Sequence, residues 1–88
     1  MQADDSLLTF PCEFPIKAMG KAEDDFDILV IEIVRQYCPD IYENAVKTRL
    51  SHGGRYISVT VTIQAQSRQQ LDNIYMALTA HERVIMAI

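Results

Sequence analysis

Apolar and polar positions along this chain follow two periods in turn. Between Pro11 and Gly20 the period is two. Phe14, Ile16 and Ala18 fall on one side and Glu13, Pro15, Lys17 and Met19 on the other, which predicts a strand. Pro15 has no N–H to donate, so its partner on that side must be absent or bulged. Gly20 ends the strand, and Glu23, Asp24, Asp25 and Asp27 crowd the next turn, as the positive end of a helix favours. Phe26, Leu29, Val30, Ile33, Val34 and Tyr37 then recur at helical spacing as one apolar stripe, and Pro39 stops the helix near Cys38.

"YENAVKTRLS", 42–51, reads as an edge strand whose Lys47 and Arg49 blunt pairing with other chains. "HGG", 52–54, is a hairpin signal, because glycines accept the positive φ of tight turns. "RYISVTVTIQA" alternates without a fault. Ile57, Val59, Val61, Ile63 and Ala65 face inward; Tyr56, Ser58, Thr60, Thr62 and Gln64 face outward. Its β-branched content makes it the central strand. Ser67 and Gln70 form a capping box for a second helix with a stripe of Leu71, Ile74, Tyr75 and Leu78, ending near Ala80. "RVIMAI" is the last strand.

The order βαββαβ, with right-handed crossovers and short connections, leaves one dominant α+β solution. This is the ferredoxin-like two-layer sandwich, a four-stranded antiparallel sheet in the order 4-1-3-2 with both helices on one face. Residues 10–88 form the domain; residues 1–9 form a flexible acidic arm in which Leu7 and Leu8, with Phe10 after them, fold back over one end of the core. Lys17, Met19, Tyr56, Ser58, Thr60 and Thr62 are left on an uncovered sheet face. A chain of 88 residues buries little surface, so self-association through the sheet or an edge strand is expected.

Charge changes this picture in detail. The net charge of −4 hides an asymmetry: residues 1–44 hold ten acids and three bases, a net −7, and residues 45–88 hold two acids and five bases, a net +3. Overall acidity argues against non-specific binding to nucleic acid or to an anionic membrane. No run approaches the roughly 18 apolar residues of a membrane span, and Met1–Phe10 lacks the form of a secretory signal, so the chain reads as cytoplasmic.

The chemistry usual for this topology is missing. RNA readers stack bases on aromatics of the two central strands, and here only Tyr56 is offered. The first loop, "MGKAEDD", has neither the paired cysteines of a copper carrier nor the arginine of an acylphosphatase. His52 and His81 read as solvated surface histidines, the acidic cluster as dipole compensation without a metal, and Cys12 and Cys38 as buried thiols at one end of the domain rather than a redox pair. No catalytic group, metal or cofactor is predicted. Lys17, Lys47, Arg49 and Arg55 converge on or beside the open face. Two readings stay open for them: a salt-bridged, solvated edge, or a docking site for a carboxylate, a phosphate or an acidic partner protein.

With the elements placed, "FPCEFPIKAMG", "HGGRYISVTVTIQA" and "YMALTAHERVIMAI" resemble the YbeD-like (UPF0250) family of small bacterial proteins of unknown function, from about Leu7 to Ile88. The most specific parts are the K-x-M-G corner (Lys17, Met19, Gly20) and the Ser58, Thr60, Thr62 alternation; Ala18 stands where a valine is expected. The resemblance implies a fold close to the ACT regulatory domains, which bind amino acids or pair sheets, and no catalytic residues. It also implies, by association only, a link to lipoate metabolism. ACT domains that hold an amino acid use the turn after the first strand, where Gly20 sits. The alternative to a regulatory interaction domain is therefore a sensor of an amino acid or other anionic metabolite at this corner. Acids at 23–25 would repel the carboxylate of such a ligand.

Overall fold

The computed structural model describes residues 8–23 and 25–88. Asp24 and residues 1–7, which hold most of the expected acidic arm and Leu7, lie outside the described residues. Strand β1 (Cys12–Lys21) is followed by helix α1 (Phe26–Arg35), a short 3₁₀ turn (Glu43–Ala45), β2 (Val46–Leu50), β3 (Tyr56–Ala65), α2 (Arg68–Ala80) and β4 (Met86–Ala87). The sheet order is β2-β3-β1-β4, all pairs antiparallel. This is the expected ferredoxin-like sandwich, read from the opposite edge.

β1 and β3 pair over ten residues without a bulge, from Cys12 opposite Ala65 to Lys21 opposite Tyr56. Their alternation sends Ile16, Ala18, Val59, Val61, Ile63 and Ala65 into the core, all at most 3% exposed. Phe26, Val30, Ile33 and Val34 of α1 and Leu71, Ile74 and Leu78 of α2 close over them. Leu8 and Phe10 pack at one margin of this core, as expected of the fold-back. Pro15 sits in the uninterrupted ladder opposite Thr62. The N–H of Lys17 donates to the Ile88 carbonyl at 2.9 Å, so positions of its parity turn toward β4. Among the described residues no part of β4 stands opposite Pro15, so its missing donor breaks no ladder bond there.

Element ends depart from expectation where tertiary contacts decide them. β2 begins at Val46, because Glu43–Ala45 are wound into the 3₁₀ turn. α1 stops at Arg35, so Tyr37, expected on the buried stripe, lies past the helix and is 37% exposed. The last strand shrinks to Met86–Ala87, since residues 81–84 form a turn in which the Val84 N–H donates to the His81 carbonyl and Val84 enters the core. The capping box is half made. Ser67 Oγ accepts the Gln70 N–H at 3.1 Å, but Gln70 Oε1 accepts the Gln66 N–H, and its Nε2 donates to the Tyr37 carbonyl. One side chain thus ties the start of α2 to the chain leaving α1.

Gly20 is required by close approach. A Cβ there would stand 2.5 Å from the Phe26 ring and 2.6 Å from the Arg83 carbonyl, and backbone cannot yield as a side-chain tip can. Gly20→Ala should lower stability by about 1–3 kcal/mol through overpacking, read as a lower urea midpoint. Phe26→Leu in the same chain should recover part of that loss, since it frees the space the Cβ needs; strictly additive effects would show the contact to be unimportant.

Burial pushes the Tyr75 phenol above its ordinary value of 10.0. The neutral form is therefore favoured in the folded protein. Its contribution is complete below pH 10 and is lost as pH rises through the raised folded value. Tyr75→Phe should flatten the alkaline limb of a stability-against-pH curve, and an unchanged limb would assign alkaline unfolding to other groups.

Candidate functional site

Among the described residues the outer face of the sheet carries no helix. Register fixes its rows. Lys47 of β2 stands opposite Thr60 of β3, which stands opposite Lys17 of β1, which pairs by backbone with Ile88. In the adjoining row Arg49 stands opposite Ser58, Ser58 opposite Met19, and Met19 opposite Met86. Lys21 and Tyr56 form a third row at one end, Pro15 and Thr62 a row toward the other. Lys17, Lys21, Lys47 and Arg49 are all exposed. Among the described residues no carboxylate pairs with them, since the ion pairs found involve only Arg68 and Arg83. The expected salt-bridged edge is thus absent from the described residues. Tyr56, Met86 and Ile88 add exposed apolar surface to the same face.

Of the expected site residues, Lys17, Met19, Lys47, Arg49, Tyr56, Ser58, Thr60 and Thr62 share this face. Arg55 does not join them. It lies on the hairpin before β3, where its carbonyl accepts the Ala22 N–H at 2.9 Å. Lys21, Met86 and Ile88 were missed, although the first continues the parity of Lys17 and the other two alternate in the closing "MAI".

Adjacent strands lie about 4.8 Å apart, so Lys17 and Lys47 leave the sheet about 10 Å from one another with Thr60 between. Such spacing suits several carboxylates on one surface better than a single small anion. The concavity beside Met19, Arg49, Tyr56 and Ser58 measures about 100 Å³, and a wider one of about 460 Å³, toward Glu13, is lined by Lys47 and Thr62 together with the carboxylates Glu13 and Asp40. Small-molecule sites are usually about 300 Å³ or more.

Gly20, the remaining expected site residue, is covered by the Phe26 ring and the Arg83 carbonyl. The Arg83 guanidinium lies 5.8 Å from the centroid of that ring and reaches Asp25 at 3.1 Å and Glu23 at 3.6 Å. Asp25 precedes α1 in a left-handed conformation, φ 65°, and its side chain makes no capping bond to the helix. The acids at this corner are therefore held by an arginine 58 residues away along the chain, and not by the helix dipole alone. Neither Lys17 nor Gly20 lines the larger cavities of about 290 to 460 Å³.

Elsewhere the titratable groups are spoken for or isolated. His81, expected to be solvated, is half-buried, and its Nδ1 accepts the Arg83 N–H at 3.1 Å. His52 is exposed on the hairpin. Cys38 is buried and Cys12 half-buried, both as free thiols. Among the described residues no three His, Cys, Asp or Glu side chains gather as metal ligands. No helix there is long and apolar enough to cross a membrane.

Comparison with known proteins places this geometry. The model of a family described as "Protein of unknown function (DUF493)" matches residues 5–88. A UPF0250 protein of Chromobacterium violaceum is 50% identical over 82 residues, which are 93% of this chain and 92% of that protein. A UPF0250 protein of Nitrosomonas europaea is 46% identical over 85 residues, 97% of this chain and 98% of that protein. The solution structure of protein HP0495 from H. pylori superposes with a TM-score of 0.69 over 92% of this chain and 85% of that one. At 13% identity it shows a shared fold.

Replacing Arg83 tests the closed corner. Arg83→Gln removes the partly exposed ion pairs to Asp25 and Glu23 and the contact with the Phe26 ring, which among the described interactions are together worth about 1 kcal/mol. The loss should appear as a lower urea midpoint at low salt and shrink as salt screens the wild-type pairs. A loss independent of salt would mean that Arg83 acts by packing alone.

Proposed function

The chain belongs to the UPF0250 (DUF493) family, whose members are described as proteins of unknown function, and we propose that it is a non-catalytic, ACT-like protein-interaction domain that docks an acidic partner on the uncovered sheet face. One observation carries this reading. Lys17, Lys47 and Arg49 stand in adjoining rows of one exposed layer, around Thr60 and Ser58, and none of the ion pairs among the described residues involves them.

The surface is chemically mixed in the way protein interfaces are. Met19, Met86, Ile88 and Tyr56 offer apolar area, and hydroxyls of Ser58, Thr60 and Thr62 lie between the cations. Apart from Glu13, which shares the outer face beyond Pro15, acids gather on other surfaces, at Glu23, Asp25, Asp27, Glu32 and Asp72. A partner presenting carboxylates is attracted to the sheet face and repelled elsewhere, which sets orientation as well as affinity. Face-to-face self-association brings like charges together and is the weaker proposal. A metabolite sensor at the Gly20 corner has the filled corner against it. Any tie to lipoate metabolism runs through the identity of the partner.

The test is a photo-crosslinking side chain in place of Thr60, at the centre of the face, or of Asp72, exposed on α2. The Thr60 position should give an adduct with an acidic protein in the native cytoplasm, and the Asp72 position should not. Lys17→Glu with Arg49→Glu should reduce the adduct about tenfold or more, as should raising the salt. An adduct that survives charge reversal, or one formed only with a second copy, would sink the reading.

A further inference from the structure

The helix layer is too narrow to cover β2. Val46, Thr48 and Leu50 point to the helix side, yet Thr48 is exposed and Leu50 is 59% exposed. Between β2 and α1 runs a groove of about 430 Å³. Asp27, Ile31 and Arg35, at successive turns of α1, form one wall; Ile41, Tyr42, Val46 and Thr48 line the rest. The two charges stand at opposite ends of the α1 wall, leaving isoleucine and valine in its middle.

Among the described residues the backbone along the same margin has no strand beside it. The Ser51 N–H donates to the Tyr56 carbonyl at 2.8 Å, and this pair continues the register of Lys47 with Thr60 and Arg49 with Ser58. Antiparallel ladders alternate between pairs that exchange hydrogen bonds and pairs that do not. The N–H and C=O groups of Thr48 and Leu50 therefore point away from β3, toward the open margin.

We propose that β2 receives an extended acidic segment of the partner as a fifth strand. This rests on the reading of the sheet face as a site for an acidic partner and states how the partner engages it. An added strand places alternate side chains on opposite faces. Those on the outer side stand opposite Lys47 and Arg49, where a carboxylate on the neighbouring strand is favourable. Those on the inner side turn into the groove over Ile31, Ile41 and Val46. The segment that fits alternates acids with apolar, β-branched residues, joining main-chain bonds to side-chain selection.

Charge decides the occupant. If two copies paired β2 to β2 in antiparallel fashion, any register sharing three or more strand residues would set Lys47 opposite Arg49, or one of them opposite its own copy. Like charges directly opposed destabilise a sheet. The two cations guard the edge against a second copy and against uncharged strands, while leaving it open to an acidic one.

The test titrates the full chain with a synthetic heptapeptide alternating glutamate and valine, followed by NMR. Amides of 46–50 should shift, and those of Thr48 and Leu50 should gain protection from hydrogen exchange. Lys47→Glu with Arg49→Glu should weaken binding about tenfold or more, and a lysine–valine peptide should not bind. Thr48→Pro removes a margin N–H without breaking a bond to β3 and should abolish binding. N-methylation of the peptide amides facing β2 should do the same without touching the protein, and N-methylation of the alternate amides should not.

If both methylated peptides bind equally, carboxylates engage the face without strand pairing; the inference falls while the proposed function stands. If nothing shifts at about 2 mM peptide, where a millimolar contact would be more than half saturated, the inference falls. The Thr60 crosslink, which uses no peptide, then judges the function alone. A dimer in sedimentation equilibrium that Thr48→Pro dissociates would place a second copy on the margin and overturn the inference.

Discussion

The ten-residue ladder between β1 and β3 is the constraint from which the rest follows. It runs from Cys12 opposite Ala65 to Lys21 opposite Tyr56 without a bulge. Because the side-chain period is two, an unbroken register sorts every residue of both strands onto one face or the other. The β-branched and other core-forming positions fall on one side, with only Pro15, Met19 and Tyr56 apolar on the other, so the helices pack on the first. Two helices of ten and thirteen residues cover the two central strands and leave the margin of β2 uncovered. The open face and the open edge are thus consequences of one pairing.

The corner after β1 is the second determinant, and it belongs to the fold. Phe26, fully buried at the start of α1, seats its ring where a side chain on residue 20 would be. Arg83 lies over that ring and holds Asp25 and Glu23. The turn from β1 to α1 is therefore fixed by a residue just before β4, and the three meet at one end of the sandwich. A ligand at this corner would have to displace a buried ring and break ion pairs, whereas a partner on the sheet face displaces only water.

Period alone makes β1, β3, α2 and the core face of α1 legible, since each repeats its signal over ten or more residues. It also gives the face of Lys17, Met19, Lys47, Arg49, Ser58 and Thr60, because parity along a strand decides which side a residue takes. The ends of β2 and β4 are not legible. They depend on a 3₁₀ turn and on a half-buried His81 that accepts the Arg83 N–H, features without a period. Arg55, on the hairpin, has the parity of inward Ile57 and Val59 rather than that of Tyr56. The groove beside β2 was hidden for another reason. Ile31 lies off the main stripe of α1, and only the packed position of that helix says which residue of β2 it stands across.

The placement of the charges bears on kinetics as much as on affinity. Exposed cations in water are each worth little, and the Debye length of about 8 Å at physiological salt limits their reach. Lys17 and Lys47, about 10 Å apart, act on an approaching acidic surface nearly independently. Such a patch raises association rate and orients the encounter, but does not by itself hold a complex. Durable binding needs desolvated contacts, and a hydroxyl-rich face with open concavities offers few. The margin of β2 offers both kinds, unsatisfied main-chain groups and an apolar groove. In the proposed mode of binding, face and edge would divide the work of recognition: the face would select an acidic partner and bring it in, and the edge, reached through the shared Lys47 and Arg49, would keep it.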